Sequence, residues 1–194
     1  MSDQKRKYRM GKRADAKQET RQRIIEAAMH LHEEVGPKAT SISAIADRAG
    51  VQRLAVYRHF PDETAIFEAC TSHWLELNPP PDPAAWSNLT GTARLHAALT
   101  AFYDYFARTE RMWAASHRDV EDVPALQAPM AEVASFLSGV ADDLAHHLDA
   151  KRSYQDVRDT LDHALQFTTW KDLERVNLDT AKKVALVSGW LCLE

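Results

Sequence analysis

Apolar residues recur along this chain at helical spacing. From about Lys17 to Val35 they would form one face of a first helix, and the apolar positions are Ile24, Ile25, Ala28, Leu31 and Val35. Gly36 and Pro37 end the pattern, as residues that terminate helices do. No segment alternates apolar and polar residues convincingly enough to predict a strand. The pattern therefore predicts an all-α fold.

Two short helices and a longer one follow in close succession. Thr40 or Ser41 can cap the second predicted helix, because a hydroxyl there accepts a hydrogen bond from a free backbone N–H. The buried face of this helix would consist of Ile42, Ile45, Ala46 and Ala49. Gly50 supplies the left-handed turn that other residues resist. We expect a third helix at about 52–59 and a fourth at about 63–77.

A proline-rich stretch predicts a domain boundary. Four of the six residues at 78–83, NPPPDP, are proline, which cannot continue a helix. We therefore predict a mobile arm at 1–16, a first domain with its linking helix at 17–77, and a second domain at 84–194. The second domain would contain helices 5 to 9, predicted at about 89–108, 111–117, 130–150, 154–176 and 179–193. A connection at 120–129, with two prolines, would separate helices 6 and 7.

Charge is distributed unevenly between the two parts of the chain. Residues 1–60 hold 13 Lys and Arg against 7 Asp and Glu, a net charge of +6, whereas residues 61–194 hold 11 against 21, a net of −10. The arm alone contains Lys5, Arg6, Lys7, Arg9, Lys12 and Arg13. Such a division is typical of a basic end that meets an anion. A solvated tail without a partner would give the same totals.

The second and third helices have the organisation of a helix-turn-helix, in which the second helix of the pair lies in the major groove of DNA. That placement explains the polar face of the third helix. Arg53 can donate two hydrogen bonds to guanine, and Gln52 can pair with adenine. Tyr57 and His59 suit phosphates or base edges. The alternative is a helical hairpin within a larger bundle, with Arg53 and Arg58 on a solvated face.

Residues 20–70 resemble the N-terminal DNA-binding domain of TetR-type transcriptional regulators. The resemblance is carried by IIEAA at 24–28, the stop at Gly36, IADRAGV at 45–51 and VYRHFPD at 56–62. It implies a homodimer of about nine helices per chain, with helices 1–3 as the DNA-binding head and helix 4 as a link to a ligand-binding and dimerisation body. Most members are repressors that a small molecule releases from an operator.

The resemblance also implies site residues. Thr40, Ser41 and Ser43 match family positions that contact phosphate, as do Tyr57 and His59. The candidate DNA-binding residues are Thr40, Ser41, Ser43, Arg48, Gln52, Arg53, Leu54, Tyr57 and His59. Leu54 would contact a thymine methyl group or pack inward. Where the family often has a phosphate-contacting lysine, this chain has Glu63 and Thr64, so that contact is in doubt.

Aromatic residues in the second domain suggest a site for the small-molecule effector, since ligand pockets are apolar with a few polar groups. The candidate ligand-binding residues are Phe102, Tyr103, Phe106, Trp113, His117, His163, Phe167 and Trp170. Ordinary core packing explains the same pattern.

Helices 8 and 9 are candidates for the homodimer interface, because they are more apolar than terminal surface helices need to be. The residues concerned are Leu161, Leu165, Trp170, Leu173, Val184, Val187, Trp190 and Leu191. Some of them must instead face the core of their own chain.

Other function classes find little support in the residues. The chain has neither HExxH nor CxxC, and its paired histidines diverge, so we expect no metal and no cofactor. It has no nucleophile signature, so we do not expect an enzyme. Two Cys, no signal peptide and no membrane-spanning run favour a reduced, cytoplasmic setting. The sequence predicts a ligand-responsive repressor that binds a palindromic DNA operator. The alternatives are a helical ligand-binding or interaction protein that no longer binds DNA, or a small helical enzyme or metal protein.

Overall fold

The computed structural model describes residues 2–149 and 151–191. In these residues the chain forms nine α-helices and no strand, which confirms the all-α prediction. The helices are α1 (Ser2–Glu34), α2 (Ile42–Ala49), α3 (Arg53–His59), α4 (Glu63–Leu77), α5 (Gly91–Asp119), α6 (Pro124–His146), α7 (Tyr154–Ala164), α8 (Phe167–Glu174) and α9 (Thr180–Trp190), with a 3-10 helix at Pro83–Trp86. Met1, Ala150 and residues 192–194 lie outside the described residues, and so does the second cysteine, Cys192.

The chain divides into two compact units. The head unit consists of Met1–Asn78 and Ala114–Leu126, and the body unit consists of Pro79–Trp113 and Gln127–Glu194. The head therefore includes a segment from the middle of the chain, which contains the last turns of α5. Among the described residues, no helix is long and apolar enough to cross a membrane.

The turn between α2 and α3 follows directly from its residues. The Ser41 hydroxyl accepts a hydrogen bond from the backbone N–H of Ala44 at 3.2 Å and so caps α2. Gly50 ends α2 at φ 65°, in the left-handed region that glycine adopts without steric cost. Ile45, Val56 and Phe60 are buried, and they anchor the two helices in the head core.

Helix α1 begins much earlier than the sequence predicted. The predicted start was Lys17, whereas the helical backbone runs from Ser2, through the segment that we expected to be a mobile arm. That segment contains no proline, and its many Lys, Arg, Gln and Ala residues have high helix propensity. A lack of apolar residues is therefore no obstacle to the helix itself, because Lys17 onward supplies the nucleus and propagation is the easier step.

The helix boundaries in the second half of the chain also differ from prediction. Predicted helices 5 and 6 are the single helix α5, since no Gly or Pro separates them. Helix α6 begins at Pro124, a favoured first position, and it continues through Pro129. The predicted connection is therefore restricted to residues 120–123.

Predicted helix 8 is divided into α7 and α8 by a turn at Leu165 and Gln166. Two hydroxyl groups donate hydrogen bonds to backbone carbonyls beside the break. Tyr103 donates to the Ala164 carbonyl at 3.0 Å, and Thr169 donates to the His163 carbonyl at 2.7 Å. These partners come from distant or later residues, so helical spacing could not reveal the break.

A buried carboxylate holds the loop that leads into α2. The Asp119 side chain, 2% exposed, accepts a hydrogen bond from the Lys38 backbone N–H at 3.1 Å. Arg118 donates to Asp119 and to the Val35 carbonyl. A Cβ atom at Gly36, where φ is 94°, would lie 1.8 Å from the Arg118 guanidinium. The backbone angle favours glycine here, and any other residue would also have to displace the Arg118 side chain.

Candidate nucleic-acid interface

Helix α3 separates its side chains sharply into a buried and an exposed face. Val56 is fully buried. The exposed face consists of Gln52, Arg53, Leu54, Tyr57 and Arg58. Leu54 is 60% exposed, which settles the two alternatives for this residue in favour of the outward orientation. Since a short helix rarely exposes a large apolar side chain together with two arginines without a partner, this face is the candidate interface.

Arg53 and Tyr57 form a pair on the exposed face. They lie one helical turn apart, the guanidinium carbon is 5.9 Å from the centre of the tyrosine ring, and Nη2 is 3.4 Å from the hydroxyl oxygen. The hydrogen bond to the Tyr57 hydroxyl raises the pKa of Arg53. The two side chains therefore present one donor group at the surface rather than two independent ones.

His59 lies at the end of α3, beside two cations that sequence reasoning did not include. Its Nδ1 atom is buried and has no hydrogen-bond partner among the described residues. Desolvation lowers the pKa of His59, and the positive charges of Lys17 and Arg21 on α1 lower it further. The Arg21 guanidinium lies 4.9 Å from the ring centre of Phe60. This concentration of positive charge with an unused ring nitrogen suits an anion.

The predicted residues at the start of α2 are partly occupied by local hydrogen bonds. The Thr40 hydroxyl donates to the Gly36 carbonyl at 2.8 Å, and Ser41 caps the helix. Ser41 and Ser43 are exposed, whereas Thr40 is half-buried. Ser43 is therefore the more accessible of the predicted hydroxyls, and Thr40 has a structural role in the loop.

Arg48 is bound by an acidic residue of α1. Its guanidinium donates to both carboxylate oxygens of Glu34, at 2.8 and 2.6 Å. Both side chains are exposed, so this ion pair contributes little to stability and is screened by salt. Arg48 reaches an external phosphate only by giving up this pair.

The start of α4 is acidic. Asp62 caps the helix by accepting from the Ala65 N–H at 2.8 Å, and Glu63 is the first helical residue. Both are exposed. Two carboxylates at a helix N-terminus occupy the position in which an external anion would otherwise be favoured. The structure thus agrees with the doubt that Glu63 raised about a phosphate contact here.

A buried His–Cys pair in the head was not found by sequence reasoning. His32 and Cys70 lie on α1 and α4, with 3.3 Å between Nδ1 and Sγ. Burial lowers the pKa of His32 to about 4 and raises the pKa of Cys70 to about 12. Both groups are therefore neutral near pH 7, and the thiol is poorly reactive. Their separation of 38 positions gives no periodic signal.

The aromatic candidates of the second domain form a cluster in the body unit. Phe106 is at its centre, with ring-centre distances of 5.7 Å to Trp113, 5.6 Å to Phe167 and 6.1 Å to Trp170. Phe102 adjoins it at 6.2 Å. All five side chains are at most 8% exposed. The Trp170 Nε1 atom is buried without a hydrogen-bond partner among the described residues.

The polar residues that we predicted for the ligand site are not part of this cluster. The Tyr103 hydroxyl is bound to the Ala164 carbonyl, and burial raises its pKa. His163 is exposed and lies beside Trp190, with ring centres 6.3 Å apart. His117 belongs to the head unit. These residues entered the prediction as polar groups for an aromatic pocket, whereas the structure gives them other surroundings.

Most residues of the predicted dimer seam are buried within a single chain. Leu161, Leu165, Val187 and Leu191 are fully buried, and Trp170 and Val184 are nearly so. They are unavailable to a second copy, because the core of the body unit already covers them. The exposed apolar side chains of this region are Val176, 63% exposed, and Leu186, 44% exposed.

The described residues contain no group of three or more His, Cys, Asp or Glu side chains that could hold a metal ion.

Comparison with known proteins agrees with the geometry of the head. Residues 24–70 match the family described as bacterial regulatory proteins, tetR family. The HTH-type transcriptional regulator AcrR of Shigella flexneri is 46% identical over 50 residues, which are 26% of this chain and 23% of that protein. The tetracycline repressor protein class C of Escherichia coli is 33% identical over 90 residues, 43% of this chain and 41% of that protein. The chain thus matches less than half of the length of these curated relatives.

The fold similarity extends over most of the chain. A TetR-like transcriptional regulator from Rhodococcus sp. RHA1 has a TM-score of 0.65 and 16% sequence identity, over 89% of this chain and 93% of that one. Residues 24–70 therefore match the tetR family of bacterial regulatory proteins, and the fold of the chain resembles that of a TetR-like regulator. The matched proteins are transcriptional regulators rather than enzymes.

Proposed function

We propose that this protein is a transcriptional repressor that binds a palindromic DNA operator as a homodimer and releases it when a small molecule binds to the body unit. The observation that carries the proposal is the face of α3. A family match alone would also fit a head that has lost its DNA site, whereas five exposed residues around a buried Val56 give a surface for base and phosphate contacts.

Arg53 and Tyr57 support a division of roles on that face. Arg53 has the donors to bind guanine at two atoms, and the tyrosine hydroxyl suits a phosphate. Leu54, outward-facing, can contact a thymine methyl group. His59 would bind a DNA phosphate together with Lys17 and Arg21, whose charges act on it. Ser43 of α2 is also exposed, and its hydroxyl is the candidate hydrogen-bond donor to a DNA phosphate.

The small size of the exposed α3 face supports a homodimer. One α3 contacts few base pairs, and a two-fold pair reads a palindrome with half-sites about 34–36 Å apart or a multiple of that distance. Helices α7 to α9 correspond to the predicted helices 8 and 9. In this region Leu186 of α9 and Val176, in the turn between α8 and α9, are exposed and available to a second copy.

The effector would be apolar and at least partly aromatic, because the rings around Phe106 are the principal apolar group among our candidates. The indole N–H of Trp170 would give it one buried donor. A ligand there must separate rings that now contact each other, so its binding would alter the packing of the body. A coupling free energy of roughly 1–3 kcal/mol already changes operator affinity by about 5–150-fold.

One observation favours a second candidate function, a ligand-binding protein that has lost DNA binding. Asp62 and Glu63 place two exposed carboxylates at the start of α4, where they would repel a phosphate. The repulsion is confined to one helix terminus, whereas the face of α3 remains intact.

The test is a selection of random duplex DNA on the purified full chain at low salt, followed by sequencing. An enriched palindrome would establish a dimeric DNA-binding protein, and its central spacing would give the distance between the two heads. No enrichment from a folded, dimeric sample would favour the second candidate. Release of the selected operator by candidate apolar compounds would then test the repressor part of the proposal.

A further inference from the structure

The positive charge of the head is concentrated in the first part of α1. Residues 1–23 hold 9 Lys and Arg against 3 Asp and Glu, a net charge of +6. Residues 24–60, which include the whole helix-turn-helix, hold 4 against 4 and are neutral. Within residues 1–60 the entire excess of positive charge therefore lies before Ile24. A neutral helix-turn-helix has little long-range attraction for DNA of its own.

This basic segment is helical and continuous with the head. Helix α1 begins at Ser2, so its backbone extends about 22 Å beyond Lys17 at a rise of about 1.5 Å per residue. Lys17 and Arg21 connect the segment to the recognition helix, because their charges act on His59 at the end of α3. Positions 6, 13, 17 and 21 are all basic, and their spacing keeps them on one side of a helix.

Two properties of the segment indicate how it would meet DNA. A helix with its side chains is about 10–12 Å wide, whereas the minor groove is about 6 Å wide, so the helix cannot enter that groove as an extended arm does. The segment also lacks the aromatic and amide residues of a reading surface, apart from Tyr8 and two Gln residues. Its chemistry is that of phosphate contacts without base recognition.

From these observations we infer that residues 2–21 are a second DNA-binding element, a basic helix that lies along the phosphate backbone beside the recognition helix and supplies most of the electrostatic affinity. The inference rests on the proposed function, because it assumes that α3 binds the operator. At a rise of about 1.5 Å per residue, residues 2–21 extend about 30 Å, which is the length of about nine base pairs at about 3.4 Å each. The roles then separate: α3 selects the sequence, and the first part of α1 sets affinity and its dependence on salt.

The test replaces the six basic residues of the first turns by Gln, which has a similar helix propensity. The replaced residues are Lys5, Arg6, Lys7, Arg9, Lys12 and Arg13. A matched control removes six exposed charges from the body unit, Arg108, Arg111, Lys151, Arg152, Arg175 and Lys182, also by Gln. A third variant exchanges Lys and Arg at the first six positions and so keeps the charge.

Affinity for the selected operator and for random duplex is measured from 50 to 300 mM salt, values that are on the order of the physiological range. For the first variant we expect both affinities to fall by about 100-fold at physiological salt. The slope of log affinity against log salt should weaken by about 3 to 5 per protomer. The base preference should remain the same, and the two other variants should behave as the parent protein does.

The outcomes are distinguishable. A parent protein that binds no duplex at low salt contradicts the proposed function itself. A parent that binds, together with a first variant that keeps its salt slope, contradicts the inference alone. An equal loss in the body control would show a general effect of net charge and would also overturn it. Circular dichroism and the thermal midpoint of each variant confirm that the head is folded.

Discussion

Helix α3 and the ring cluster around Phe106 both carry residue types that suggest binding, but the structure exposes the first and buries the second. Val56 is the buried residue of α3 and packs in the core, so the other side of the helix faces outward. The rings of the body contact one another at 5.5–6.2 Å, as core aromatics do. DNA has a fixed shape, so the residues that contact it must lie at fixed spacings along the protein chain. A small molecule imposes no such spacing, and its site is harder to distinguish from a core.

The largest expected effect concerns the cluster. Phe106→Ala should lower the free energy of unfolding by about 3–5 kcal/mol if the cluster is a packed core, since a buried ring leaves a cavity. Urea denaturation measures this. Phe136→Ala is the matched control, because Phe136 is 36% exposed and should cost much less. A loss below about 1 kcal/mol at Phe106 would mean that the rings surround removable space, as in a ligand pocket.

The next effect concerns how the stability of the head unit and that of the body unit depend on pH. Burial lowers the pKa of His32 in the folded head to about 4, from a usual value of about 6.5. The unfolded state therefore binds more protons between these values, and stability is lost as the pH falls from about 6.5 to about 4, by about 3 kcal/mol in all. Arg118 lowers the pKa of Asp119, so protonation of that carboxylate destabilises the head further at still lower pH.

Hydrogen exchange between pH 7 and 4 should therefore show the head unit opening before the body unit. His32→Phe should flatten the pH dependence of head stability, because it removes the titrating group while keeping a ring of similar size. An unchanged pH dependence in that variant would show that other groups control the acid sensitivity.

A smaller effect is expected on DNA recognition. Arg53→Ala should cost about 1–3 kcal/mol of discrimination at one base pair in each half-site. Tyr57→Phe is the control, since it keeps the ring beside the guanidinium and removes only the hydroxyl. Competition binding with operators changed at single positions measures both. Equal losses of Arg53→Ala on operator and random DNA would refute base reading by this residue.

The smallest effect should be that of Leu54→Ala on stability. The side chain is 60% exposed, so the free energy of unfolding should change by less than about 0.5 kcal/mol. Operator binding should weaken at one A·T position if the side chain contacts a thymine methyl group. A large loss of stability without any effect on binding would instead mean that Leu54 supports the fold of the head and does not contact the operator.

The sequence was sufficient for α2 and α3 because their boundaries have local causes. Ser41 and Gly50 delimit α2, and the short turn leaves α3 no other register. Predictions failed where distant groups decide. The end of α7 depends on Tyr103 and Thr169, and the continuous α5 has no breaker at the predicted gap. The pairing of His32 with Cys70 could not be predicted, since it joins two helices without a motif.

The hydrogen bond from the Lys38 backbone N–H to Asp119 has a consequence for folding during synthesis. The loop before α2 is near the start of the chain, and the carboxylate that binds it is translated 81 positions later. Chains emerge from the ribosome with the N-terminal part first. The nascent head must therefore wait, without its final hydrogen bond, until α5 has been synthesised. A fragment that ends at Asn78 would remain in that unfinished state.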